Sequence, residues 1–368
     1  MKPIQVTEPF LPPLAEYTKY LEGIWDRNIL TNNGPLVKEF EAKIKAHHGT
    51  QRSIACVANA GLGLQIALKA LGVGGEVITT PFTYVATASC ALWEGCTVRF
   101  ADIEADHLTL CPDAVEAAIT PQTEAIIGVH LFGNPCDVDR LQEIADRHGI
   151  ALIYDAAHAF GVNYQGKSIL DYGDASVLSL HATKVFHSVE GGTVAFRNPD
   201  VFERAEWMRR YGHNGYDDFH GVGINAKMSE LHAAMGLCLF AHLDEIYQGR
   251  QAIIDEYREA ISRMDSISLV ATRTPERPAL GYAPVLFSSE QDLLRCMEHL
   301  SRKQIFPRRY FCHRWDGLTK ESFKDLPVYQ DIRERVLCLP ITVSAGAKLV
   351  IEGIENLSSN KPLETIKI

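Results

Sequence analysis

Several features that would mark a specialised class are missing from this chain. None of its nine cysteines is spaced Cys-x-x-Cys and their number is odd, which argues against a disulfide framework or a structural zinc site and fits a reducing cytoplasm. No stretch approaches the ~20 consecutive apolar residues that a bilayer demands, and the opening Met1-Lys2-Pro3-Ile4-Gln5-Val6 has no apolar signal core. Basic clusters are absent against a formal net charge of -10, so neither nucleic acid nor an anionic membrane is an expected partner. There is no internal repeat and no low-complexity segment. There is also no Gly-x-Ser-x-Gly elbow, which removes the main hydrolase signature.

What is present is material for a large globular core. Hydrophobic residues are 46% of 368 and charged residues 22%, enough for two domains or one domain with an appendage. After Leu14–Trp25, a helix behind a proline-rich start, Thr31-Asn32-Asn33-Gly34-Pro35 is a turn cluster. Leu36–His48 is an amphipathic helix. From Ser53 short apolar runs alternate with helical patterns. The runs are Ser53–Val57, Val77–Thr79, Thr97–Phe100, Ala125–Val129, Ala151–Tyr154, Ala175–Leu178 and Thr193–Phe196. Helices are expected between them at Leu62–Leu71, Thr83–Trp93, Pro112–Ile119 and Asp137–His148. That alternation predicts βαβ units, a mainly parallel sheet and an α/β fold. Helices dominate from Phe202 to Met264, with a break near His213–Gly223. Strands at Ile267–Val270 and Ala283–Phe287 and helices at Gln291–Lys303 and Ala345–Leu357 follow. The reading is a large domain over residues 1–244 and a smaller α/β domain over 245–368.

Ligands of such sheets gather beyond the carboxyl ends of the strands, where Asp155 falls. A carboxylate there is costly to bury unless paired. A pyridinium nitrogen is one suitable partner; capping the Ala156-Ala157 turn is the other reading. Lys184 has no acid immediately adjacent, and a lysine in a desolvating environment becomes a nucleophile; a solvated surface charge is the plainer alternative. Ser179 follows a strand and can bind a phosphate oxygen. Asn59-Ala60-Gly61-Leu62 joins a strand to a helix, and its small residues let a phosphate approach the first N–H groups, or simply make a tight turn. Tyr84 can stack on a flat ring or belong to the core. Asp155, His158, His181 and His187 also compose a possible zinc or iron ligand set.

Asp155-Ala156-Ala157-His158-Ala159-Phe160-Gly161, Ser179-Leu180-His181-Ala182-Thr183-Lys184 and Glu190-Gly191-Gly192 resemble the sugar aminotransferases of the DegT/DnrJ/StrS family. Pro81–Thr87 and Gly223–Ser229 extend the resemblance, which spans nearly the whole chain. It implies a fold-type-I enzyme, with a mostly parallel seven-stranded sheet between helices in the large domain and a smaller C-terminal α/β domain. It implies pyridoxal 5'-phosphate as cofactor and no metal. Lys184 would link covalently to the cofactor's aldehyde and shuttle protons. Asp155 would pair with the ring nitrogen, Tyr84 stack on the ring, and His158 lie by the ring oxygen. Ser179 and the Ala60-Gly61-Leu62 turn would hold the phosphate, with Asn225 reaching it across a homodimer interface. Asn33, His187, Arg308 and Tyr310 would face the substrate. Two departures stand out: the family has Gly-Thr or Ala-Thr at Ala60-Gly61, and often glutamine at His158. A deoxygenating branch of the family carries histidine where this chain has Lys184, so transamination is the expected reaction.

The resemblance is strongest to enzymes aminating C4 of dTDP-4-keto-6-deoxy-D-glucose with glutamate as donor, giving dTDP-4-amino-4,6-dideoxy-D-glucose for a polysaccharide or O-antigen. The alternatives it leaves are C3 amination of a related dTDP-keto-6-deoxyhexose, a sugar dehydratase, and a non-catalytic regulator that binds the cofactor.

Overall fold

The computed structural model describes residues 3–312, 315, 318, 323 and 325–358. Seven strands form the central sheet. They are β1 (Ser53–Val57), β2 (Glu76–Thr79), β3 (Thr97–Phe100), β4 (Thr123–Val129), β5 (Ala151–Asp155), β6 (Ala175–Ser179) and β7 (Gly192–Phe196). Their spatial order is β1-β7-β6-β5-β4-β2-β3. β7 runs antiparallel to both neighbours and every other pairing is parallel. Strands covered on both faces must be apolar along their length, and Ile126, Ile127, Leu152, Ile153, Val177 and Leu178 are all fully buried. Each such side chain contributes about 1.5–3 kcal/mol of burial energy.

The register decides what the sheet presents. Val129 pairs with Asp155, Asp155 with Val177, Ser179 with Gly192, and Gly192 with Val57. β4 and β5 end level with one another, β6 runs two residues further, level with the end of β1, and Asp155 and Ser179 emerge at the same edge of the sheet.

Helices α1 (Leu14–Arg27), α2 (Pro35–His48), α3 (Ala60–Ala70), α4 (Ala86–Trp93), α5 (Pro112–Ala118) and α6 (Val138–His148) follow the expected order. α6 shows the local logic. Asp137 accepts the Arg140 N–H at its start, Val138, Leu141, Ile144 and Ala145 form its buried stripe, and Gly149 closes it at φ 65°. α4 starts three residues later than its composition suggests, because Pro81–Thr83 form a bend ahead of it.

α7 (Pro199–Met208), α8 (Glu230–Leu239) and α9 (Leu243–Ile261) come next. The break between α7 and α8 spans 209–229, wider than expected. A three-stranded antiparallel sheet then forms from β8 (Ile267–Leu269), β9 (Ala283–Phe287) and β10 (Val336–Leu339). α9, α10 (Glu290–Arg302) and α12 (Lys348–Ser358) pack on it through Ile253, Tyr257, Leu293, Leu300 and Val350. β10 and α11 (Pro327–Arg335) escaped the periodicity reading. Ile4–Gln5 pairs in parallel with Ile305–Phe306, and Ile4 joins the core of this smaller region. The first residues thus pack against the C-terminal part of the chain.

One buried carboxylate ties two distant segments together. Glu230, at the start of α8, accepts the N–H groups of Leu36 (3.0 Å) and Val37 (2.9 Å) at the start of α2. Its negative charge suits a helix N-terminus. A Cβ on Gly34 would sit 2.5 Å from the Glu230 carboxyl carbon, so only glycine lets the turn close. This fixes the Asn32-Asn33 turn, whose two residues take left-handed φ values of 63° and 54°.

Candidate active site

Lys184 lies in the loop after β6. Its N–H donates to the His181 carbonyl at 2.9 Å, while Ala182 N–H reaches the Val189 carbonyl at 2.8 Å, folding the loop back onto β7. Gly192 lets that strand pass against the start of α3, where an added Cβ would meet the Ala60 nitrogen at 2.8 Å. The Lys184 Nζ donates to Tyr282 Oη at 3.1 Å. Burial pushes its pKa down to about 8, with Asp155 and Tyr84 pulling back only in part. About a tenth of molecules then carry the neutral amine at pH 7.

Asp155 closes β5. Its Oδ2 accepts the Thr87 hydroxyl (2.8 Å) and its Oδ1 the Ala157 N–H (3.1 Å). The turn-capping role is therefore real, but it uses only part of a carboxylate's acceptor capacity. Burial raises the Asp155 pKa, against the Thr87 and Ala157 hydrogen bonds and Lys184. Beside it, His158 Nδ1 accepts the Phe132 N–H at 3.1 Å, so the neutral ring carries its proton on Nε2. Burial, then the charge of Lys184, holds His158 well below its ordinary pKa and hence neutral.

A cavity of about 400 Å³ joins these groups. Ala60, Gly61, Tyr84, Asp155, His158, Ser179, Lys184, Arg308 and Tyr310 all line it. Asn59 Oδ1 takes the Leu62 N–H (2.9 Å) and the Asn59 carbonyl takes that of Gly63 (3.2 Å). Ala60 and Gly61 are thereby left as first-turn donors without intrahelical partners, while Leu62 is already engaged and does not reach the cavity. Tyr84 stands 57% exposed at the rim. A second hollow, of about 520 Å³ and edged by Glu16, Lys43 and Phe240, shares no lining residue with the first.

Three expected residues lie elsewhere. His187 is buried, its Nε2 against the Phe10 carbonyl (2.9 Å) and its Nδ1 accepting the Val189 N–H (3.2 Å). With both nitrogens used, it anchors the N-terminal segment and does not face the cavity. Asn33 sits in the turn held by Glu230, and Asn225 bonds Lys227 Nζ at 2.6 Å on an exposed arm. Both lie outside this chain's own cavity. Among the described residues no three His, Cys, Asp or Glu side chains converge as a metal site. Tyr282, Thr87 and Phe311 belong to the site but escaped the sequence reading. Thr87 closes the Pro81–Thr87 segment that carries part of the family resemblance.

These residues suit pyridoxal phosphate. Asp155 offers a buried carboxylate with acceptor capacity left for a cationic ring N–H. Lys184 offers an amine of lowered basicity, and the start of α3 offers free donors for a phosphate.

Comparison with known proteins agrees. The family model of the DegT/DnrJ/EryC1/StrS aminotransferases matches residues 14–356. A dTDP-4-amino-4,6-dideoxy-D-glucose transaminase of Shigella dysenteriae is 39% identical over 355 residues, covering 95% of this chain and 96% of that one. One of the same description from Escherichia coli is 37% identical over 360 residues, covering 95% and 97%. Among solved structures, DesI in the presence of its TDP-sugar product superposes with a TM-score of 0.90 at 33% identity, over 98% of this chain and 93% of the other. The chain belongs to the DegT/DnrJ/EryC1/StrS aminotransferase family, is a transaminase, and takes pyridoxal phosphate as its cofactor.

Proposed function

We propose that this enzyme moves an amino group from glutamate to C4 of dTDP-4-keto-6-deoxy-D-glucose, giving dTDP-4-amino-4,6-dideoxy-D-glucose. The observation that carries the reading is the meeting of Lys184 and Asp155 in one cavity, in a chain 39% identical to a transaminase named for that product. Bound there, the cofactor supplies an electron sink for the donor's α-carbon. Asp155 would hold the ring nitrogen protonated. His158 Nε2–H would donate to the ring oxygen, Tyr84 would close over the ring face, and Ser179 with the Ala60 and Gly61 N–H groups would receive the phosphate. Lys184 Nζ would take the proton from the donor α-carbon and deliver it to the cofactor's C4′ carbon, and move a proton the other way, from C4′ to the sugar carbon, in the second half-reaction. Arg308, stacked on Tyr310 with its guanidinium carbon 4.9 Å from the ring centroid, meets the anionic part of the substrate.

The exposed arm carrying Asn225 reaches the phosphate in a second copy of the chain, so the working unit is an isologous homodimer. Nine free cysteines, six of them buried, fit a cytoplasmic enzyme. Among the described residues no helix is long and apolar enough to cross a membrane. A second reading, C3 amination, draws on a 32% identical dTDP-3-amino-3,4,6-trideoxy-alpha-D-glucose transaminase of Streptomyces venezuelae.

The test is incubation with glutamate and a panel of dTDP-linked keto sugars, with the product identified by NMR. Nitrogen at C4 supports the proposal and nitrogen at C3 selects the second reading. No amino sugar from any acceptor overturns both.

A further inference from the structure

Tyr282 has no role in the reading so far, yet it holds the Lys184 amine. It stands just before β9 in the smaller region, and it is the group that hydrogen-bonds Nζ, at 3.1 Å. Its ring is fixed on several sides: by His158 at 4.3 Å between centroids, Phe132 at 5.5 Å, and Tyr310 edge-on at 5.9 Å. Lys184 Nζ also lies over that ring, 5.7 Å from the centroid.

Behind Tyr282 lies a second anomaly. Arg250, on α9, is 3% exposed. Among the described residues no Asp or Glu pairs with it, and its hydrogen bond is a long one to the Leu280 carbonyl (3.5 Å). A buried guanidinium ordinarily has a carboxylate. Here burial pushes the Arg250 pKa down to about 10, and the groups that act against that are the phenols of Tyr282 and Tyr247. Tyr247 Oη has no hydrogen-bond partner of its own among the described residues.

We propose that Tyr282, backed by Arg250, is a positioning residue that receives the Lys184 amine whenever it is not covalently engaged, and sets its protonation. The phenol oxygen accepts an N–H from the ammonium form and so favours it. The charge of Arg250 acts on that phenol across space and moderates the effect. Lys184 is faced by Asp155 from β5, Tyr84 from just before α4, His158 from the turn after β5, and Tyr282. Tyr282 is faced in turn by Arg250, Arg308, Cys338 and Asp155. Burial dominates for Lys184, pulling it down to about 8 against Asp155 and Tyr84, and the Tyr282 oxygen at 3.1 Å is the hydrogen-bond acceptor beside that amine. The amine then stays beside the reacting carbon through the cycle instead of swinging out toward the rim.

The inference rests on Lys184 being the cofactor-linked lysine, and the experiment separates the two. Borohydride reduction followed by peptide mass analysis asks whether the cofactor is on Lys184. If it is not, the assignment of Lys184 fails whatever Tyr282 does. In the full-length protein freed of cofactor, the pH dependence of trinitrobenzenesulfonate modification at Lys184 then reads the amine directly.

Tyr282→Phe keeps the ring packing and removes the acceptor. It moves the midpoint from about 8 to about 7, the worth of one hydrogen bond to a charge. In the holoenzyme kcat falls about tenfold or more, while KM for donor and acceptor holds. Arg250→Met shifts the modification midpoint upward, and Arg250→Lys restores it. An unshifted midpoint in Tyr282→Phe, or a loss confined to KM, overturns the proposal. If Arg250→Met does not fold, Tyr282→Phe alone decides.

Discussion

Asp155→Asn should separate stability from activity. In the wild type the carboxylate accepts two hydrogen bonds, from Thr87 Oγ1 and Ala157 N. Hydrogen bonds to a charge are worth about 1.5–3 kcal/mol each, but burial of an ion costs several kcal/mol, and the two nearly cancel. Asparagine keeps both bonds in neutral form. Its oxygen accepts from Ala157, and its amide donates to Thr87 Oγ1, which is free to turn its own proton to the Tyr84 carbonyl 3.2 Å away. The cofactor-free protein should thus change by no more than about 2 kcal/mol, against the about 3–5 kcal/mol of a broken buried ion pair. The pH dependence has a definite sign. Burial raises the folded-state pKa of Asp155 above its ordinary value. Its favourable contribution is complete below the unfolded pKa and is lost as pH rises through the folded one. Relative to the wild type, the Asn variant therefore gains stability from acid toward neutral pH. Activity behaves otherwise. A unit charge pair at hydrogen-bond distance, in surroundings of effective dielectric about 20, is worth about 5 kcal/mol. Transamination should drop by about three powers of ten or more. Urea unfolding of the cofactor-free variant and single-turnover kinetics with glutamate measure the two sides. An Asn variant that keeps a tenth of the wild-type rate refutes the ring-nitrogen role, and one destabilised by more than about 4 kcal/mol refutes the balance of terms.

Lys184→Ala should leave folding intact by circular dichroism, abolish turnover, and yield no cofactor adduct on borohydride treatment. Because the amine must be neutral to accept a proton, and burial brings its pKa to about 8, the glutamate half-reaction should accelerate as pH rises toward 8 and level beyond it in stopped-flow traces. Ser179→Ala should weaken cofactor retention about tenfold in equilibrium dialysis, the worth of one hydrogen bond to an anion. Glu230→Gln forces an amide donor against one of two buried N–H groups, so the urea midpoint should fall by the equivalent of about 2–4 kcal/mol.

Much of this was legible in the sequence because parallel strands buried on both faces spell themselves out as apolar runs. All seven strands of the central sheet lie where such runs stand, and the topology alone places Asp155 at the carboxyl edge. The smaller region reads less well. β10 is a four-residue run, Val336-Leu337-Cys338-Leu339, directly behind a helix with no turn residue between them, so nothing punctuates its start. Tyr282 follows Leu280-Gly281 in an irregular segment without period, and its value comes from where the fold sets it. His187 misled for the opposite reason. It stands three residues from Lys184 in the sequence, but the loop turns its ring away to the Phe10 carbonyl. Asn33 and Asn225 fall outside their own chain's cavity; in the proposed dimer Asn225 would reach the phosphate held by the neighbouring copy.

The site also resolves an apparent conflict between an acidic protein and anionic ligands. The chain carries a net charge of -10, while its cofactor bears a phosphate, its proposed acceptor a diphosphate and its proposed donor two carboxylates. Two acidic side chains, Asp155 and Glu190, line the cavity. Asp155 is buried and faces the charge of Lys184; in the proposed complex it would also face the ring nitrogen. Glu190 lies against His181 Nε2 at 3.5 Å on the rim. Facing them are Lys184, Arg308 and the positive end of α3, all where phosphate or carboxylate must enter. Charge is thus segregated: most of the surplus of acid lies outside the cavity, while inside it the two acids are balanced by Lys184 and Arg308, with the positive end of α3 in excess. The rate of substrate capture should therefore weaken with rising salt, as attraction into the cleft is screened over about 8–10 Å, and should weaken less in Arg308→Gln, which has already lost much of that attraction. A salt dependence equal in the two proteins would mean that Arg308 does not meet the substrate's charge, and the acidic surface would then have to be overcome by binding contacts alone.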